Sequence, residues 1–393
     1  MTIDVERARR ETPGVEHVVH LNNAGSSLPP HPVLDAVVGH LELEAQIGGY
    51  EAHAENEAAI ERFYDATAQL IGARRDEIAF ASSATRAWDM AFYAFRFEPG
   101  DRILTAVAEY VSNYIAYLQV AARTGAEIVP VPNDEHGQVS VEALRELVDE
   151  RVKLITITHV PTSGGLVNPA AEIGAVAKEH GIPYLLDACQ SVGQMPVDVD
   201  AIGCDLLSAT GRKFLRGPRG TGFLYVRSEL LDRLEPPFLD MRAADWVEPD
   251  RYELRSDALR FEEWEQAYAT KAGLAAAVDY ALGWSVDATW ERVHALGERL
   301  RAQLDELDRV SVHDAGRERC GIVTFSVEGA GAAAVKKALA RERINVTVSE
   351  PYSTLLDFRE RELPDLVRAS VHYYNTEDEL DLLVESVRIA ALC

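Results

Sequence analysis

The stretch Pro183–Arg227, PYLLDACQSVGQMPVDVDAIGCDLLSATGRKFLRGPRGTGFLYVR, constrains this chain more than any other. It opens on a short apolar run, Tyr184–Leu186, that ends on Asp187, and it closes on another, Gly222–Val226. Runs this short, bounded by polar and glycine-rich turns, predict buried strands. Between them stands Lys213, set among Gly, Ser, Thr and Arg. An aspartate at a strand end and a lysine in a following loop suit an aldehyde cofactor of the pyridoxal phosphate kind. The amine holds it as a Schiff base and later moves protons at the substrate's α-carbon. The carboxylate faces the pyridine nitrogen and favours its protonated form, a stronger electron sink.

The other lysines leave Lys213 in the most unusual setting. Lys336 and Lys337 are adjacent on a helical pattern, and Lys178 falls on another helix face, so these read as solvated charges. A formal charge of −25 disfavours nucleic acid and anionic membranes as partners, since both need a positive surface. Cys189, Cys204, Cys320 and Cys393 lie far apart without C-x-x-C spacing, which predicts neither a metal site nor a disulfide framework. The first residues, MTIDVERARRETPG, lack an apolar signal core, so a cytoplasmic location is expected. A chain of 393 residues, 47% of them hydrophobic, can bury a large core and is expected to split into two lobes.

Asp187-Ala188-Cys189-Gln190 and Thr210-Gly211-Arg212-Lys213, followed by Gly217-Pro218-Arg219-Gly220-Thr221-Gly222, match a D-x-x-Q and S-x-[HR]-K pattern. In this the chain resembles the class V aminotransferase and cysteine desulfurase group of fold-type I pyridoxal-phosphate enzymes, and the resemblance runs over nearly its whole length. It implies an α/β fold: a large domain with a mostly parallel sheet flanked by helices, plus a smaller α+β C-terminal domain. The expected division is an N-terminal arm over residues 1–20, a large cofactor domain over 21–260, a connecting helix over 261–285 and a small domain over 286–393. Alternating strand and helix patterns between residues 77 and 227 agree with a parallel sheet whose site lies at the strand carboxyl ends.

The resemblance also assigns residues. Ser82-Ser83-Ala84-Thr85-Arg86 follows a strand and precedes an apolar helix; by itself it reads as a Ser/Thr helix cap. The family pattern makes Ala84 and Thr85 cofactor-phosphate ligands, while Arg86 departs from the usual glutamate. Tyr110 stands where desulfurases carry a histidine stacked on the cofactor ring; it can stack equally well but cannot handle protons near neutral pH. Thr162 replaces an asparagine, Gln190 is placed for the cofactor's phenolic oxygen, and Thr210 and Arg212 for its phosphate. Arg368, in Arg368-Ala369-Ser370-Val371-His372-Tyr373-Tyr374-Asn375-Thr376, matches the arginine that binds the substrate α-carboxylate. Asn23, Ala24 and Gly25 correspond to a turn near the substrate, though the residues read equally as a plain Gly-Ser turn. Tyr50, beside a glycine pair expected to leave a mobile stretch, and Trp264, where the family carries a Gly-Thr pair contacting the partner subunit's cofactor, are further substrate contacts. His372 is expected to be structural, and Cys189 is expected to be buried filler facing away from Asp187.

What is absent bears on the reaction. Desulfurases carry a nucleophilic cysteine on the loop before the carboxylate-binding arginine, and the run Ser349–Phe358 has none. The expected function is a pyridoxal-phosphate enzyme acting on an amino acid through an external aldimine and α-carbanion, with β-elimination of the C–S lyase type ahead of transamination. An epimerase and a catalytically retired binding protein remain as alternatives. A homodimer with the site at the subunit interface is implied by the resemblance.

Overall fold

The computed structural model describes residues 2–391; Cys393 lies outside them. Seven strands form the central sheet in the spatial order Ile78–Ala81, Gly222–Val226, Leu206–Thr210, Tyr184–Asp187, Val152–Thr158, Arg102–Ala106, Glu127–Val131. Strand Gly222–Val226 runs antiparallel to both of its neighbours, and every other pairing is parallel. The architecture is therefore the expected α/β sheet flanked by helices.

Side-chain alternation explains why these runs are apolar throughout. Leu186, Leu207 and Tyr225 join one hydrophobic cluster, whereas Leu185, Leu206 and Leu224 join another on the opposite face. The first cluster is closed by helices Glu57–Ile71, Ala170–His180 and Tyr268–Trp284, the second by Ala84–Phe92 and Val111–Thr124.

A second sheet holds four antiparallel strands in the order Val310–Val312, Ile322–Val327, Leu366–Ser370, Thr347–Ser349. It packs on helices Val286–Asp305, Ala332–Arg341 and Glu377–Ala391 around a third cluster. The N-terminal segment belongs with it: Ala8 and Leu21 join that cluster, Arg9 pairs with Glu379 at 2.8 Å, and Val19–His20 pairs with Ile344–Asn345.

One segment differs from the sequence expectation. The Gly48-Gly49-Tyr50 break is no loose stretch: helix His31–Ile47 ends at Gly48, whose φ of 99° redirects the chain straight into helix Gly49–Glu55. The polar run Asp240–Asp257 contains a hairpin, Ala244–Glu248 against Arg251–Leu254. No helix among the described residues is long and apolar enough to cross a membrane.

Candidate active site

At the carboxyl ends of the central strands one cavity gathers Ala84, Thr85, Tyr110, Thr162, Asp187, Gln190, Thr210, Arg212 and Lys213. Asp187 ends its strand, buried. Its two oxygens accept from Asn113 Nδ2 at 3.0 Å and from the Cys189 backbone N–H at 2.9 Å. Asn113 also donates to Glu109 at 2.9 Å, and Glu109 accepts from Thr105, Thr158 and the Tyr110 N–H. Burial pushes the Glu109 carboxyl up, against the hydrogen bond from Thr158, and the neighbouring Asp187 charge adds to the rise. Two buried carboxylates thus share one amide, and among the described residues neither forms an ion pair. A protonated pyridine nitrogen set against Asp187 would supply the cation this arrangement lacks.

Lys213 is half-buried, and its amine hydrogen-bonds to no described residue. Burial lowers its pKa to about 8; Cys189 and Asp187 oppose that shift, and Arg212 and Arg368 add to it. A neutral amine near pH 8 is the form that attacks an aldehyde. Amine-reactive labelling of the cofactor-free protein, followed residue by residue by mass spectrometry, is accordingly expected to give Lys213 a midpoint near pH 8. Exposed Lys153, Lys178, Lys336 and Lys337 serve as the reference lysines in the same digest.

Lys271 is a finding the sequence did not signal. It is also lowered to about 8 by burial, but it lies behind the sheet, donating to Tyr64 at 2.6 Å and to Gln266 at 2.9 Å. Its ammonium faces the rings of Phe63, Tyr64 and Phe80, and Glu262 joins the group by accepting from Tyr64, Arg242 and the Phe80 N–H. This cluster ties the segment after the hairpin to strand Ile78–Ala81, and so holds the helix that starts the cavity.

That helix, Ala84–Phe92, is capped by Ser83, whose hydroxyl accepts from the Arg86 N–H at 3.0 Å. The N–H groups of Ala84 and Thr85 have no intrahelical partner, and with the helix dipole they form an anion cradle. The cradle exists because residue 222 is glycine: a Cβ there would lie 2.7 Å from both the Ala84 nitrogen and the Ala209 carbonyl oxygen. Arg86 turns outward, pairing with Glu263 at 2.8 Å and covering the Phe238 ring.

Opposite, Arg368 is buried and donates to the Thr162 carbonyl at 2.7 Å and hydroxyl at 2.8 Å, while its Nε finds no partner. Gln190 donates to the same hydroxyl at 3.2 Å and to the Ala24 carbonyl at 3.1 Å, leaving its Oε1 unpartnered. Unpaired buried polar atoms on Arg368 and Gln190 fit a bound polar ligand.

Several expected residues fall elsewhere. Asn23 is a structural tie, donating to the Ser370 carbonyl at 2.7 Å and accepting from Tyr374 at 2.5 Å; only the backbone of Ala24 and Gly25 reaches the cavity neighbours. Tyr50 is 82% exposed and Trp264 44% exposed, and neither lines the cavity within one chain. Helix Gly49–Glu55 presents Tyr50 to the surface, and a hydrogen bond from the Trp264 N–H to Asp240 at 2.7 Å pins its segment outward. Arg212, expected on the phosphate, lines the cavity and donates one N–H of its guanidinium to the Gly25 carbonyl. Cys189, expected to face away, lines the cavity because the strand stops at Asp187 and the chain folds back under that carboxylate. Arg216, in the same loop as Lys213, is buried among Tyr280, Tyr373 and Tyr374 and joins Thr12 to Tyr373. His372 is structural, bonded to the Phe214 carbonyl at 3.0 Å.

A lysine of lowered pKa, an uncompensated carboxylate and an anion cradle around one cavity of an α/β sheet define a pyridoxal-phosphate-dependent enzyme. The chain belongs to the aminotransferase class-V family, whose model matches residues 19–383. Among curated proteins it is 31% identical over 389 residues to a probable cysteine desulfurase of Methanothermobacter thermautotrophicus, covering 97% of each chain. Among solved structures it matches the apo cysteine desulfurase of Thermococcus onnurineus NA1 with a TM-score of 0.92 at 27% identity, covering 100% of this chain and 99% of that one. The cystine C–S lyase C-DES, in complex with its product cysteine persulfide, shares the fold with a TM-score of 0.85 at 24% identity, over 96% of this chain and 99% of the other.

Proposed function

We propose that the chain is a C–S lyase that cleaves S-substituted cysteines by β-elimination and carries no sulfur on its own cysteines. Bound pyridoxal phosphate supplies an electron sink conjugated to the substrate's α-carbon. Lys213 holds the cofactor through its amine, and Asp187 holds the ring nitrogen, oriented by Asn113. Tyr110 covers the ring, the Ala84 and Thr85 N–H groups with Thr210 take the phosphate, and Gln190 with Thr162 takes the phenolic oxygen. Arg368 binds the substrate α-carboxylate and so points the α-hydrogen at Lys213. The Lys213 amine, once free, removes that proton. The β-carbon to sulfur bond breaks with its electron pair on sulfur, the sulfur is protonated and leaves as a thiol, and the remaining enamine hydrolyses to pyruvate and ammonia.

The observation that carries this reading is the segment before Arg368. Residues 349–358 form a turn, Pro351–Thr354, and a short helix, Leu355–Glu360, with no thiol. That turn packs against the helix starting beside Tyr110. The described thiols do not replace the missing one: Cys204 and Cys320 are buried away from the cavity, and burial pushes the Cys189 thiol well up, keeping it protonated. After turnover with cysteine, intact-mass analysis under non-reducing conditions is expected to show no cysteine that has gained a sulfur atom. A chain carrying one extra sulfur would make it a persulfide-forming desulfurase.

A homodimer belongs to the same reading. Thr85 is exposed in the single chain, and the exposed Tyr50, Phe238, Met241 and Trp246 support a partner copy closing the site. The division into a large unit over 21–260, a connecting helix over 261–285 and a small unit over 286–393 with its N-terminal arm is supported by the separate core of the C-terminal sheet. Unpaired Cys189, Cys204 and Cys320 suit a reducing cytoplasm.

A further inference from the structure

Resting on the lyase reading above, we infer that the group leaving with the sulfur carries a second carboxylate and that Arg212 binds it. Arg212 adjoins Lys213 and lines the cavity. Its guanidinium donates to the Gly25 carbonyl, one residue from the Ala24 carbonyl that accepts from Gln190 at 3.1 Å. Gln190 and Arg368 meet on the Thr162 hydroxyl, at 3.2 and 2.8 Å. Arg212 and Arg368 are therefore joined by a short chain of contacts through Gly25, Ala24, Gln190 and Thr162, at one side of the cavity.

Neither guanidinium meets a carboxylate among the described residues, nor does nearby Arg219, in a chain with 64 acidic residues against 39 Lys and Arg. Most other arginines here have an acidic partner, whereas these three neighbouring cations have none among the described residues. Burial lowers the proton affinity of both groups. The Arg219 charge lowers that of Arg212 further, and the Arg212 charge that of Arg368, which falls to about 10. Two like charges drawn partly out of water raise the energy of the empty site, and an anion at each removes the penalty. The α-carboxylate satisfies Arg368 alone. The Ala84 and Thr85 N–H groups and Thr210 offer the cofactor phosphate donors of their own, and Arg212 spends one N–H on the Gly25 carbonyl and keeps the rest of its fork for an anion. A carboxylate beyond the sulfur fills the remaining fork, which offers paired donors of matching geometry.

The test compares S-carboxymethylcysteine with S-carbamoylmethylcysteine, its neutral near-isostere, on the holoenzyme. Binding is read by the absorbance change of the bound cofactor, and turnover by thiol release. The acid is expected to bind about tenfold or more tightly than the amide and to be favoured in kcat/KM by a similar ratio. Arg212→Gln brings the ratio to about one, and Arg212→Lys keeps part of it. A ratio near one in the wild-type protein overturns the inference. So does an Arg212→Gln protein that loses cofactor affinity and weakens both compounds equally, which would make Arg212 a phosphate ligand. If the acid binds preferentially and Arg212→Gln removes the preference, but neither compound releases a thiol, the carboxylate site at Arg212 stands and the lyase reading, with its leaving group, falls.

Discussion

Lys213→Ala is expected to lower kcat for thiol release by about 10⁴-fold and to abolish the absorbance of the cofactor imine. The magnitude follows from the site: Lys213 is the one described lysine that lines the cavity, and the proposed mechanism has it both hold the cofactor and take the α-proton. Lys271, equally lowered in pKa, cannot substitute, because its ammonium is enclosed by Phe63, Tyr64 and Phe80 behind the sheet. A small external amine is expected to restore part of the rate by filling the space of the missing side chain. Single-turnover kinetics provide the check, and a residual rate within tenfold of wild type would remove Lys213 from the chemistry.

Asp187→Asn is expected to leave the imine in place and to slow α-proton removal by about 10²–10³-fold. The substitution keeps the size of the side chain and loses its charge, so the pyridine nitrogen is no longer held in its protonated form and the electron sink weakens. It also sets two amides against each other. Asn113 donates to one Asp187 oxygen at 3.0 Å and the Cys189 N–H to the other at 2.9 Å, so an asparagine at 187, with a single oxygen, accepts from one of them and turns its NH2 toward the other donor. Comparing rates for α-deuterated and unlabelled substrate locates the effect: a larger isotope effect in the variant shows that proton removal has become rate-limiting. An unchanged rate would deny Asp187 its role.

The strands were legible because the central sheet is buried on both faces and its members are short apolar runs closed by glycine and polar turns. Arg102–Ala106 and Glu127–Val131 fall where the pattern puts them, and Tyr184–Asp187 ends on Asp187 as expected. Local motifs also placed Ala84, Thr85 and Gln190 in the cavity wall, since they sit at or just past the ends of regular elements whose direction the sheet fixes, and put Arg368, within its own strand, against Thr162. Orientation beyond the end of an element was not legible. Cys189 follows a strand that stops, so strand alternation no longer governs where its side chain points. Arg212 and Arg216 lie in one loop, yet one lines the cavity and the other is enclosed by tyrosines from distant segments, a difference that no spacing encodes. The links from Glu109 and Asn113 to Asp187, and the Lys271–Glu262 cluster, join segments far apart in the chain. The one local hint was the four-residue spacing of Glu109 and Asn113 about the start of a helix.

The most direct test of the account is to incubate the pure holoenzyme with S-substituted cysteines in the absence of any keto-acid acceptor, and to recover both products and cofactor. The account predicts a free thiol, pyruvate and ammonia in equal amounts over many turnovers, with the cofactor recovered as the aldehyde. Cofactor recovered in its amine form after a single turnover, with no thiol released, would contradict it and make the protein an aminotransferase.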